Sequence, residues 1–462
     1  MRNKDMYINY SRSTRRRRRR KFRNKFNLLP YLFIIVLAVL LGFVSYSFAK
    51  EGGVSLSIFS KKNTREIKIS DKNSNEDSLK NSHTQQGGLT NNTPKESKSI
   101  EETQGFQVDK DHEGLDKSIK TSNQDKVVSD RGEPVVAKGI YVTGPVAGSE
   151  RMDNLIDMVD TTELNTMVID IKNDNGEITY KMDHDLVNEI GAGVNYIRDI
   201  KQLIKELKEK DIYLIARIVA FKDPLLAQKK PEYCLKNKDG SLFRDKAGLG
   251  WVNPYNREVW DYLIELSLEA IDLGFDEIQF DYIRFSTDPG MANVDFGPEA
   301  VSKTKTEIIT EFTKYAYERL SPYAYVSADV YGAIFDSLVD QEIVGQDYLE
   351  MAKHLDYICP MIYPSHYANG SYGIEYPDLE PYNLILASLN ESKKVLANVQ
   401  ESHVAKVRAW LQDFTATWIG NYQTYGPDQI RQQIQGVYDA GYEEWILWNG
   451  SNKYTRDGLL DE

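Results

Sequence analysis

Two aspartates in this chain are placed to act on one bond. Asp281 closes the run Glu277-Ile278-Gln279-Phe280-Asp281, and Asp329 closes Tyr325-Val326-Ser327-Ala328-Asp329. Both runs read as short β-strands, in which alternation puts Gln279 with Asp281, and Ser327 with Asp329, on one face. Two carboxyl groups facing a common space are what glycosidic cleavage uses. One protonates the leaving oxygen, and the other attacks the anomeric carbon or activates a water. Asp281 is expected to attack or stabilise the anomeric centre. Arg217, or in its place Arg284, would keep it ionised, because a neighbouring cation favours the charged carboxylate. Asp329 is the expected proton donor, held protonated by partial burial and by the charge of Asp281. The plainer alternatives are an Asp281–arginine ion pair with no chemistry attached and an Asp329 that caps a loop.

Polar and aromatic groups also close the other strand-like runs. Val168-Ile169-Asp170-Ile171-Lys172 turns Asp170 and Lys172 to one side, where they could simply pair. Arg217 lies between Ile215 and Val219, the run Met361-Ile362-Tyr363-Pro364-Ser365-His366 offers Tyr363 and His366, and Arg408, Trp410 and Gln412 alternate before a final run ending in Trp448-Asn449. The expected substrate-binding set is therefore Asp170, Lys172, Arg217, Arg284, Tyr363, His366, Gln412, Trp448 and Asn449. Trp251, Tyr282, Tyr331, Tyr367 and Trp410 are further flat rings suited to the apolar face of a pyranose, although any single aromatic is more often core. No cofactor or metal is expected. His366 has no His or Cys neighbour, Cys234 and Cys359 make no CxxC pair, and no GxGxxG loop occurs.

The elements that must position these groups alternate. Strand-like runs are predicted at 139–143, 167–172, 213–219, 277–283, 325–331, 357–363, 407–414 and 444–448. Helical periodicity fills the gaps at 151–159, 197–210, 257–273, 303–320 and 429–440, with weaker patterns at 346–354 and 380–394. Alternating β and α implies a parallel sheet with right-handed crossovers, and eight such units imply a closed (β/α)8 TIM barrel, an α/β fold. An open doubly wound sheet is the alternative. Helix-to-strand connections are tiny, such as 274–276, whereas strand-to-helix connections such as 173–193 and 221–255 are long. In a barrel the long ones gather at the C-terminal face of the strands, where active sites are built.

Four segments carry a resemblance. Gly274-Phe275-Asp276-Glu277-Ile278-Gln279-Phe280-Asp281-Tyr282-Ile283-Arg284-Phe285 resembles the fourth-strand motif of bacterial glycoside-hydrolase-like barrels. Residues 138–143, 357–367 and 445–449 fit the same picture. Over about 138–455 the chain is most similar to the DUF4015 family of glycosyl hydrolase domains. The resemblance implies a TIM barrel and carbohydrate chemistry. In the wider superfamily, α-amylase-like enzymes use a fourth-strand aspartate as nucleophile, which corresponds to Asp281. Their fifth-strand acid is commonly Glu, where this chain has Asp329. Their seventh-strand Asp would fall near Asp413, although alternation turns Gln412 inward there.

Residues 1–27 hold 12 Lys or Arg and one acid, a net of +11 against −12 for the whole chain, leaving −23 for the rest. The basic block runs straight into 22 uncharged residues, 28–49, so it reads as a topology signal and not as a nucleic-acid patch. A helix of that length spans a bilayer core, with residues 1–27 cytoplasmic and the remainder outside. Ser47-Phe48-Ala49 resembles a signal-peptidase site, but an uncharged run this long exceeds the roughly 7–15 residues of a signal-peptide core. Residues 50–135 are polar, with Phe59 and Phe106 as their only aromatics, and are expected to form a disordered extracytoplasmic linker. The reading is of a single-pass cell-membrane protein whose domain at 136–462 is a glycoside hydrolase of cell-wall or extracellular polysaccharide. A non-catalytic carbohydrate-binding barrel and a structural envelope protein are the competing classes. The acidic exterior weakly disfavours polyanionic substrates. Oligomeric state has no signal in the sequence.

Overall fold

The computed structural model describes residues 131–335 and 337–461. The basic segment, the expected membrane span and nearly all of the expected linker lie outside the described residues. Among those described, no helix is long and apolar enough to cross a membrane.

Eight strands run β1 Lys138–Val142, β2 Thr166–Lys172, β3 Tyr213–Val219, β4 Glu277–Asp281, β5 Tyr325–Tyr331, β6 Tyr357–Met361, β7 Ala409–Gln412 and β8 Trp445–Trp448. Each pairs in parallel with the next. The sheet closes, because Lys138, Gly139 and Ile140 of β1 lie in register with Trp445, Ile446 and Leu447 of β8. The open sheet is thereby excluded.

The crossovers carry helices α1 Arg151–Asp160, α2 Ile200–Lys208, α3 Arg257–Leu273, α4 Lys305–Leu320, α5 Tyr348–Ala352, α6 Pro381–Leu396 and α7 Pro427–Asp439. Local chemistry sets their ends. Asn256 caps α3 by accepting the Val259 N–H, and Thr304 with Glu307 forms a reciprocal capping box on α4. Helix α3 stops at Gly274, whose φ of 110° suits a residue without a Cβ. Only three residues then separate α3 from β4. Helix faces and outward strand residues bury one large apolar layer between barrel and helices. A second cluster fills the barrel itself and includes Val168, Ile215, Cys359 and Trp410.

The barrel floor is polar but sealed. Arg408 donates to both Glu277 and Glu444, and its guanidinium carbon lies 3.8 Å from the ring centre of Tyr357. Arg408, expected with Trp410 and Gln412 at the working end, thus belongs to the opposite end of its strand. The strand predicted at 407–414 is shorter than expected: Lys406–Val407 pairs separately with β6 and the main run starts at Ala409. Of residues 131–135, expected to belong to the linker, Arg131 and Val135 contact the barrel while 132–134 are exposed. Arg131 pairs with Asp356 at 3.0 Å and lies over the Tyr325 ring.

The long loop after β2 has structure of its own. Ile178–Tyr180 and Gly193–Ile197 extend the sheet beyond the barrel. A register shift between Asp170 and Lys172 accompanies this extension.

Candidate active site

Register brings the two acids together. Gln279 pairs with Ser327 and Phe280 with Ala328, so one residue further on Asp281 and Asp329 stand side by side on strands about 4.8 Å apart. Their surroundings differ. Asp281 accepts from Arg217 through both Nε, at 3.0 Å, and Nη2. Its other oxygen accepts the N–H of Tyr282 at 2.6 Å. Tyr282 holds φ at +49°, an unusual value for a bulky side chain, and this turn ends β4 earlier than the predicted 277–283. Strain at such a position is characteristic of functional sites.

No ion pair to Asp329 occurs among the described residues. Its Oδ1 accepts the Trp410 indole N–H at 2.6 Å. Burial pushes its carboxyl well above the ordinary range, and the charge of Asp281 pushes the same way, against the smaller pull of the Trp410 bond and of Arg217. The Tyr363 hydroxyl is close enough to feel both acids: burial, then Asp329 and Asp281, raise its pKa. The two neighbouring carboxyls thus have unlike surroundings. Asp281 is held by a guanidinium and a backbone N–H, while Asp329 is held by an indole N–H and is pushed toward its protonated form by burial and by Asp281.

Arg217 is the hub. It is fully buried, donates to Asp170 at 2.6 Å and Asp174 at 3.1 Å besides Asp281, and lies against the rings of Tyr141 and Trp448. Asp170 also accepts from the Tyr141 hydroxyl at 2.6 Å. Burial nevertheless pushes Asp170 up to about 6, against the opposing pull of Arg217 and of that hydroxyl. Burial also pushes Asp174 upward, but Arg217 and Lys222 outweigh it and leave its carboxyl below the usual value. Tyr141 stacks on Trp448 with ring centres 4.2 Å apart, forming one wall.

Several expected ligands stand elsewhere or are already committed. Lys172 does not share the mouth. The register shift after Asp170 turns it out of the barrel, where it pairs with the buried Asp223 at 2.8 Å and donates to the Val219 carbonyl. Gln412 is buried and fully used. Its oxygen accepts the N–H and hydroxyl of Ser365, and its nitrogen donates to Asp378 and to the Phe414 carbonyl. Asn449 is spent in the same way on Ser451, Asp413 and Lys453. Both residues hold loops in place and have nothing left for a ligand. Asp413 caps the Thr455 turn, accepting its N–H and hydroxyl, and is no third acid beside the pair. His366 is exposed, bonded to Ser365 at 3.0 Å and set edge-on to Tyr363. Arg284 does not pair with Asp281; it sits among Trp251, Tyr282 and Tyr331.

Tyr141, Asp174 and Lys222 belong to the mouth and were not singled out in the sequence. Tyr141 could have been found, since it is the inward residue of β1 by alternation; Asp174 and Lys222 lie in loops, where periodicity says nothing. Among the described residues no group of three or more His, Cys, Asp or Glu side chains is arranged to hold a metal ion. A hollow of about 300 Å³ beside Glu232, Asn253 and Phe296 contains neither acid and is not this site.

A closed eight-stranded β/α barrel with acids at the C-terminal ends of its fourth and fifth strands is a glycosyl-hydrolase-like TIM barrel. The chain belongs to the family DUF4015, described as "Putative glycosyl hydrolase domain", whose model matches residues 139–454. Among solved structures, a hypothetical protein from Ruminiclostridium thermocellum is 42% identical over 42% of this chain and 97% of its own, with a TM-score of 0.39. The PgaB (BpsB) glycoside hydrolase domain from Bordetella bronchiseptica is 12% identical over 68% of this chain and 94% of its own, with a TM-score of 0.49. The spore cortex-lytic enzyme SleL of Bacillus cereus is 11% identical over 70% of this chain and 73% of its own, with a TM-score of 0.43. No curated protein matches the chain in sequence.

Proposed function

We propose that this protein is a membrane-anchored, extracytoplasmic glycoside hydrolase that cleaves a cell-wall or extracellular polysaccharide with Asp281 and Asp329. The observation that carries this reading is the unequal treatment of two neighbouring acids. Asp281 takes two N–H groups of a buried guanidinium, while Asp329 has an indole N–H and a raised pKa. Asp281 is the anion that meets the anomeric carbon as positive charge develops there. Asp329 donates its proton to the departing oxygen and afterwards receives one from the incoming water. Direct attack by Asp281 retains the configuration at the anomeric carbon. Tyr141, Trp448 and Tyr363 supply ring faces and one hydroxyl to the bound sugar.

The anchor and the outward orientation rest on the basic block followed by 22 uncharged residues. The reading is tested by incubating the full-length protein with purified wall and capsule polysaccharides and measuring new reducing ends. Release that disappears in Asp281→Asn supports it. Saturable binding of a glycan with no release from any of them would make the protein a carbohydrate-binding barrel instead.

A further inference from the structure

Arg284 follows Asp281 by three residues and is 8% exposed. Its guanidinium carbon lies 4.7 Å from the ring centre of Tyr331, 4.8 Å from Tyr282 and 5.3 Å from Trp251. Tyr282 directly follows Asp281 and feels its charge, and Tyr331 is two residues past Asp329 on β5. Nη1 donates to the Phe285 carbonyl at 2.8 Å.

Beyond that bond Arg284 has no acceptor and no carboxylate among the described residues. The other cations of the mouth differ. Arg217 meets three carboxylates and Lys222 meets Asp174. Burying a cation without a counter-ion is unfavourable, and aromatic faces offset only part of that cost. Aromatic rings accept no conventional hydrogen bond, so they leave the guanidinium's N–H donors to other partners. Nε and Nη2 make no hydrogen bond among the described residues and are not fully sealed from solvent. Lys222, 4.5 Å from the same Tyr282 ring, adds positive charge nearby.

We infer that Arg284 is a subsite for the carboxylate of a uronic-acid residue next to the scissile bond. The inference rests on the reading of Asp281 and Asp329 as the cleaving pair. A planar carboxylate matches the guanidinium fork. A neutral hydroxyl would leave the buried charge uncompensated. Asp170, Asp174, Asp281 and Asp329 crowd the same mouth, so a singly charged group is repelled less than a phosphate dianion. The net charge of −23 outside residues 1–27 weighs against a dense polyanion.

The test titrates the full-length protein with D-glucuronate, D-galacturonate, D-glucose, D-galactose and inorganic phosphate, followed by tryptophan fluorescence and calorimetry. One of the two uronates should bind at least about tenfold more tightly than its neutral counterpart and than phosphate. Arg284→Gln should reduce that preference to within about twofold, and Arg284→Lys should keep part of it, since the charge survives without the fork. Equal affinity for uronates and neutral sugars on the wild-type protein, a preference that survives Arg284→Gln, or tightest binding of phosphate would each overturn the assignment. The wild-type comparison decides even if Arg284→Gln fails to fold. Cleavage of a neutral glycan without any uronate preference sinks this inference alone. Uronate preference with no cleavage of any glycan leaves the subsite standing and sinks the hydrolytic reading.

Discussion

Asp170 offers a measurable signature of the buried charge cluster. Its carboxyl is raised from an ordinary 3.8 to about 6, chiefly by burial. A carboxyl raised in the folded state stabilises the fold fully below its unfolded pKa, and that contribution is lost as pH rises through the folded value. The window is therefore about pH 4 to pH 6. Roughly two units at about 1.36 kcal/mol each give about 3 kcal/mol. Asp170→Asn cannot ionise and does not carry this dependence. Its amide facing Arg217 adds a penalty of about 1–3 kcal/mol, but one that is the same at every pH. The variant should therefore gain about 3 kcal/mol relative to wild type between pH 4 and pH 7. For roughly 330 described residues, an unfolding entropy of about 0.7 kcal/mol/K turns this into a relative rise in Tm of about 4 °C. Melting both proteins across pH 4–8 measures it. A difference that stays flat with pH, or that shrinks toward neutrality, would refute the claim that Asp170 is held at a burial penalty beside Arg217.

Asp329→Asn should slow substrates with poor leaving groups most and activated aryl glycosides least, because only the former need protonation; equal losses on both would remove its role as acid. Arg408→Met on the floor should destabilise the domain by about 3–5 kcal/mol, since Glu277 and Glu444 lose their counter-ion, while kcat stays within about twofold of wild type. A matched loss of kcat would tie the floor to the chemistry. Protease added to intact cells should cut between residues 50 and 135 and release a stable barrel fragment, whereas protection of the whole chain would reverse the proposed orientation.

Much of the barrel was legible because its signals are local. Strand runs such as 213–219 and 325–331 have the lengths seen in the structure, and Arg217, Asp281 and Asp329 follow from alternation within single strands. Arg217 was recognisable as a partner of Asp281 because both face inward near the ends of neighbouring strands. What could not be read depends on contacts distant in sequence. Lys172 obeys the alternation of its own segment, yet one register shift against β3 sends it to Asp223. Gln412 and Asn449 point toward the mouth loops, but Ser365, Asp378 and Asp413 use up their hydrogen bonds before a ligand can. Arg408 has the right parity and the wrong height, because parity fixes the face of a strand and not the end at which a side chain works. Arg284 was a plausible partner for Asp281 by proximity in sequence, and the turn at Tyr282 carries it to the aromatic wall instead.

The most direct test of the central claim is the turnover of Asp281→Asn on the glycan that the wild-type protein cleaves, with binding measured in parallel. The side chains are nearly isosteric and Asn can still accept from Arg217 through its amide oxygen, but its NH2 then faces the Tyr282 N–H. A stability loss of about 1–3 kcal/mol is therefore expected, while glycan affinity stays close to wild type. Release of reducing ends should fall by roughly 10³-fold or more. Turnover at the wild-type rate in that variant would show that the acid pair is structural and would contradict the account.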